Sequence, residues 1–260
     1  MRLPLYQVDA FTGRVFGGNP AAVCPLERWL EDSTMQSIAA ENNLSETAFL
    51  VRAGDGYDIR WFTPVQEVDL CGHATLASGF VVFHYLDPMA PAVVFRSKSG
   101  PLAVTRAGER LCLDFPARPP IPCPCAPEIE VALGRAPRAV LRAPRDYLAV
   151  FESEGDVRTL APSMERVAAL DALGVIATAP GRDVDFVSRF FAPRAGVPED
   201  PVTGSAHCTL VPYWSSRLGR KKLRALQISR RGGELWCEDR GERVLICGRA
   251  VRYLEGAIEV

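Results

Sequence analysis

No run of apolar residues in this chain approaches the length needed to cross a bilayer, and its start, Met1-Arg2-Leu3-Pro4-Leu5-Tyr6, lacks the apolar core of a secretory leader. No sign of charge dominates either: 30 basic against 31 acidic residues leave a formal net charge of -1. That balance argues against nucleic acid as a partner. The one basic cluster, Arg217, Arg220, Lys221, Lys222 and Arg224 beside Gly219, is short and isolated and reads as a solvated turn. Zinc-type pairs are missing too. Cys123-Pro124-Cys125 is too closely spaced and has no second Cys or His pair nearby.

What is present is a core. Hydrophobic residues make up 48% and charged residues 23% of 260 residues, the balance of a globular protein large enough for one large domain or two ordinary ones. The eight cysteines are scattered. Cys112 in Leu111-Cys112-Leu113 and Cys247 in Leu245-Ile246-Cys247 sit in apolar runs, so they read as buried reduced thiols. The expectation is a cytoplasmic protein with no structural metal and no membrane association.

Along the chain, strands are expected at residues 5–10, 21–24, 47–51 and 57–62, with Gly54-Asp55-Gly56 as a hairpin turn. Ser33-Thr34-Met35-Gln36 has the form of a capping box and predicts a helix ending at Asn42-Asn43. A second helix is predicted from Gly72 through His84. It is apolar on nearly every side, hence a central helix wrapped by sheet, with His84 as a core or subdomain contact. Strands at 92–95, 102–106 and 110–115 lead to a proline-dense stretch, Pro116 to Pro127, which reads as a linker. The domain expectation is therefore 1–118 and 119–260.

The second half repeats the first. Its expected strands are 139–141, 147–151, 174–177, 185–191, 225–229, 234–237 and 243–247. Helices are expected at 164–170 and after Gly204, the latter kinked or strained by Pro212. Arg60-Trp61-Phe62-Thr63-Pro64 corresponds to Arg189-Phe190-Phe191-Ala192-Pro193. Glu67, Gly72 and Ala74 then match Glu199, Gly204 and Ala206 after a three-residue insertion. Each half carries a strand, a Phe-x-Pro turn, an acidic loop, a glycine and an apolar helix, which favours duplication.

Two glycine-led helix starts have a chemical consequence. Each offers unpaired N–H groups and the positive end of a dipole, suited to a substrate carboxylate and to negative charge that develops on it. No Walker-type lysine follows either glycine, so nucleotide binding is unsupported. His73 follows Gly72; Ser205 follows Gly204, with Asp200 just upstream. Glu46 opens an apolar strand, where a partly desolvated carboxylate can both accept and donate a proton.

These residues fall in recognisable segments. Val8-Asp9-Ala10-Phe11-Thr12, Gly18-Asn19-Pro20-Ala21-Ala22-Val23, Asn43-Leu44-Ser45-Glu46-Thr47-Ala48-Phe49 and Leu70-Cys71-Gly72-His73-Ala74-Thr75 resemble the PhzF-like family of phenazine biosynthesis. Glu199-Asp200-Pro201-Val202-Thr203-Gly204-Ser205-Ala206-His207 is similar to its C-terminal motif. The resemblance covers both halves in order. It implies a diaminopimelate epimerase-like α+β fold: two similar domains, each a curled, mostly antiparallel sheet around a central helix, with the site in a cleft between them.

The best-understood reaction of that family isomerises 2,3-dihydro-3-hydroxyanthranilate without metal or organic cofactor. By resemblance Glu46 carries the proton, while His73, Asp200 and Ser205 orient the substrate and assist. Gly72 and Gly204 hold its carboxylate, Gly18 and Asn19 border it, and the protein is a homodimer. The epimerases use a cysteine before each glycine; here Cys71 fills the first place and Thr203 the second. A threonine hydroxyl is a poor base at neutral pH, so a one-glutamate mechanism fits better than a two-thiol one. Cys71 then reads as a packing residue and His207 as a local helix contact. The alternatives are an amino-acid racemase or epimerase using Cys71, and a non-catalytic protein that binds a small ligand.

Overall fold

The computed structural model describes residues 1–123 and 127–260; Pro124 and Cys125 of the close cysteine pair lie outside the described residues. The chain divides into two compact units, Met1–Asp114 with Cys247–Val260, and Phe115–Ile246. Both are α+β, as expected, with sheet predominating over a few helices. Among the described residues no helix is long and apolar enough to cross a membrane.

In the first unit, β1 (Arg2–Ala10) runs antiparallel to β2 (Asn19–Leu26), with Ala10 opposite Asn19. Helix α1 (Asp32–Asn42) carries the chain over to β3 (Glu46–Ala53), which pairs parallel to β2 with Glu46 opposite Ala21. β4 (Gly56–Phe62) returns antiparallel through the Gly54–Gly56 turn. Helix α2 (Gly72–Val81) has eight of its ten residues buried. Its small residues let the sheet close in: a Cβ on Gly79 would lie 2.7 Å from Val104 Cγ1. The helix continues as one π turn, Val82–Leu86. His84 on that turn is exposed and stacks on Phe80 with 4.0 Å between ring centroids, so it is a surface residue and makes no core contact.

One local expectation changes. Helix α1 starts at Asp32 with Glu31 as its N-cap and no side-chain cap bond, so Ser33 lies inside the first turn and the capping box does not form. Asn43 closes the helix in the left-handed conformation at φ 48°, as the Asn-Asn signal implied. Pro212 sits inside a single continuous helix, Gly204–Leu218, and does not end it.

The larger change is at the C-terminus. Residues 250–259 form a strand, Ala250–Glu259, that pairs antiparallel with β1 from Ala10↔Ala250 to Arg2↔Glu259. Residues 247–260 therefore belong to the first unit, whereas the sequence division assigned them to the second. Cys112 and Cys247, expected as reduced thiols, form a disulfide that ties this tail to the Arg110–Pro116 strand. Cys24, Cys71, Cys208 and Cys237 are free thiols.

The repeat is a structural one. In the first unit Arg60 makes two bonds of 2.8 Å to the Glu67 carboxylate and lies 5.1 Å from the Phe62 ring centroid. In the second, Arg189 does the same to Glu199 at 2.7 and 2.9 Å, 4.8 Å from the Phe191 centroid. Each fork clamps a strand to the loop that leads to the glycine of its helix. Hydrogen bonds from Arg60 hold the Glu67 carboxyl down at about 2, below its ordinary 4.5. A depressed folded-state value means stability that is fully present above the unfolded value and lost as pH falls through the folded one. Glu67→Gln is expected to cost on the order of 1–3 kcal/mol at pH 7 and to flatten the loss of stability between about pH 4.5 and 2. Urea denaturation of both proteins at neutral and acid pH measures this.

Within the second unit, parallel pairs Asp146↔Gly174 and Phe186↔Ala225 are set among antiparallel ones. The Gly204–Leu218 helix packs through Trp214, whose Nε1 donates to Thr178 Oγ1 at 3.0 Å and whose ring stacks on Phe186.

Candidate active site

A turn of two glycines builds the first part of the site. Gly18 adopts φ +60°, and a Cβ there would stand 2.1 Å from Ala10 O. Only glycine fits, and the tight return sets Asn19 in register with Ala10 as the first residue of β2. Gly18→Ala is expected to cost on the order of 1–3 kcal/mol, seen as a lowered melting temperature, because it must adopt a strained φ and displace a backbone carbonyl.

Asn19 is fully buried. The parallel pairing of β2 with β3 puts it at the same end of the sheet as Glu46, which opens β3. The third contributor comes from α2, whose N-cap is Cys71 and whose second residue is His73. His73 Nε2 lies 3.1 Å from Glu46 Oε2, and His73 Nδ1 lies 3.1 Å from Asn19 Nδ2. Cys71 Sγ stands 3.5 Å from the same Nδ1. His73 and Cys71 are buried, and the Glu46 side chain is 16% exposed. The Glu46–His73 contact is close but poorly directed: Oε2 is buried and accepts no hydrogen bond of standard geometry. The structure thus brings Asn19, Glu46, Cys71 and His73 together in one unit.

Asp200, Gly204 and Ser205 stand at the equivalent place in the second unit. Thr203 is the N-cap of the Gly204–Leu218 helix, and its hydroxyl donates to Asp200 Oδ2 at 2.5 Å. Gln227, which no sequence signal singled out, locks this start. Its Oε1 accepts from Thr203 N at 2.8 Å, and its Nε2 donates to Asp200 O at 2.8 Å and to Thr203 Oγ1 at 3.1 Å. Ser205 occupies the position that His73 holds in α2 and is partly exposed. His207 is buried, with Nδ1 donating to Thr203 O at 2.8 Å, the local role the sequence suggested; burial pushes its imidazole down to about 4.

The model of the phenazine biosynthesis-like protein family matches residues 8–256. The chain belongs to that family. An uncharacterized isomerase of Pseudomonas aeruginosa is 54% identical over 260 residues, all of both chains. A phenazine biosynthesis-like domain-containing protein of mouse is 42% identical over 286 residues, with 99% of each chain covered. A PhzF-family crystal structure from Enterococcus faecalis superposes with a TM-score of 0.97 at 49% identity, covering both chains completely. A hydroxyproline epimerase from Agrobacterium vitis, at 12% identity and a TM-score of 0.63 over 99% of this chain and 92% of its own, shares the fold.

Electrostatics separate the PhzF-like centre from a two-thiol one. Burial and the nearby Glu46 charge push the Cys71 thiol up to about 11, so it is uncharged at neutral pH and a poor base. His73 feels opposed influences: burial lowers its pKa, while negative charge on Cys71 and Glu46 raises it well above the ordinary imidazole value. Cys71 is uncharged at neutral pH, so the larger of those two raising charges is absent there; Glu46 alone opposes burial, which favours the neutral ring.

Glu46, Cys71 and His73 are also the one group among the described residues whose His, Cys and carboxylate ligand atoms, within 4.8 Å of one another, could share a metal ion. Both ring nitrogens of His73 already face protein partners, Asn19 on one side and Glu46 on the other.

Proposed function

We propose that this PhzF-like isomerase moves a proton between two carbons of a small carboxylated substrate, with the Glu46 carboxyl as its acid and base. The observation that carries the reading is the close approach of Glu46, at the start of β3, to buried His73, at the start of α2. The carboxylate takes a proton from a substrate carbon, and the electron pair released spreads into the substrate's conjugated system. The same carboxyl then returns the proton to a second carbon, so no oxidant or reductant is consumed. His73 flanks the carboxylate, with Nε2 3.1 Å from Oε2. Backbone N–H groups at Gly72 and Gly204 are suited to the substrate's carboxylate and to charge that develops during transfer.

For Asp200 and Ser205 the support is their motif and their place at the second helix start; they orient the substrate and assist the proton. A compound like 2,3-dihydro-3-hydroxyanthranilate has the required carboxylate and conjugation. A homodimer in the cytoplasm belongs to the same reading, and light scattering and cell fractionation test those two points.

Proton NMR in heavy water, with 2,3-dihydro-3-hydroxyanthranilate and a panel of amino and hydroxy acids, tests the reaction. Deuterium entering one compound identifies the substrate class. Binding of a panel member without any exchange would make the chain a ligand-binding protein instead.

A further inference from the structure

Of the three histidines, two place Nδ1 against a backbone carbonyl one helical turn back, His84 on Phe80 O and His207 on Thr203 O, each at 2.8 Å. A carbonyl only accepts, so those rings carry a proton on Nδ1. His73 is built the other way. The Asn19 side-chain NH₂, a donor, faces its Nδ1 at 3.1 Å, and the second neighbour of that nitrogen, the Cys71 Sγ at 3.5 Å, is a thiol that can donate to it as well. With donors on this side, Nδ1 accepts, and the ring proton sits on Nε2, the atom 3.1 Å from Glu46 Oε2.

We propose that Asn19 is a positioning residue that holds His73 in the Nε2–H tautomer and thereby keeps the mobile proton of the centre on Glu46. The inference rests on the reading of Glu46 as proton carrier. A proton added to the centre has two places to go, the Glu46 carboxylate or Nδ1 of His73. At Nδ1 it would confront the Asn19 N–H, and the amide would have to turn over before an imidazolium could form. The carboxylate carries no such obstacle. Since Asn19 is fully buried, its effect on the reaction passes through His73. The Gly17-Gly18 turn is what delivers the amide to this depth.

Nitrogen-15 NMR of the full-length protein labelled at histidine tests this without substrate. At neutral pH the His73 ring is expected to be protonated on Nε2 alone, opposite to buried His207, whose signals also report that each variant has folded. Asn19→Asp puts an acceptor at Nδ1, so that nitrogen is expected to gain a proton. Asn19→Ala removes the donor and is expected to bring in the second tautomer. With substrate in hand, both variants are expected to lower kcat by about tenfold or more with KM little changed.

An Nδ1–H or doubly protonated ring in the unaltered protein overturns the proposal. So does a His73 ring that is the same in all three proteins. Failure of Glu46 as the proton carrier shows elsewhere, as unaltered deuterium exchange in Glu46→Gln, so the two failures are distinguishable.

Discussion

Glu46→Gln is expected to slow deuterium incorporation into the substrate by about 10²–10⁴-fold. Glutamine keeps the shape of the side chain and can still face His73 Nε2 through its amide oxygen, so the fold and the pairing should survive. What it loses is the ability to take up and give back a proton. The companion variant Cys71→Ala removes a thiol that is uncharged at neutral pH and is expected to change the rate by only a few fold, since it deletes packing against His73 and no base. Proton NMR in heavy water on both variants reads the two together. Loss of exchange in Cys71→Ala with exchange intact in Glu46→Gln would reverse the assignment and make this a thiol-dependent racemase or epimerase.

The second large effect concerns stability. Cys112 and Cys247 are 135 residues apart, and the bond closes a loop that contains the whole of the Phe115–Ile246 unit. A cross-link over a loop of that length restricts the unfolded chain strongly, for roughly 4–5 kcal/mol in the chain-entropy picture and about 2–4 kcal/mol in typical proteins. It also anchors the start of a tail whose strand completes the edge of β1. Cys247→Ser, or reductant added to the unaltered protein, is expected to lower stability by about 2–4 kcal/mol. Thermal and urea denaturation with and without reductant measure it. The serine variant should become insensitive to reductant, and an unaltered protein that shows no reductant effect would mean the pair is not bonded in solution. Such bonds persist in oxidising surroundings, so this pair removes Cys112 and Cys247 from the cysteine argument for a cytoplasmic protein.

Much of this was legible in the amino-acid order because it is local. The Asn43 stop of α1, the glycine starts of α2 and the Gly204–Leu218 helix, and the Gly54–Gly56 hairpin depend on residues within a turn of each other. The duplicated Arg and Phe-x-Pro segments lie close enough to their glutamates that Arg60–Glu67 and Arg189–Glu199 follow within ten residues or fewer. Glu46, His73, Asp200 and Ser205 could be nominated as candidates because each sits inside a short local motif.

What only the tertiary structure decided is non-local. The pairing of Ala250–Glu259 with β1 depends on an edge formed at the other end of the chain. A strand's own alternation says nothing about which edge it will join. Cys112 and Cys247 look like core thiols in their own runs and become partners only when their strands meet. Gln227 reaches Thr203 across 24 residues, and Asn19 reaches His73 across 54. The residue types of the centre were visible in the sequence. Which nitrogen of His73 carries the proton is a matter of hydrogen-bond direction, and that is set by the buried neighbours that packing supplies.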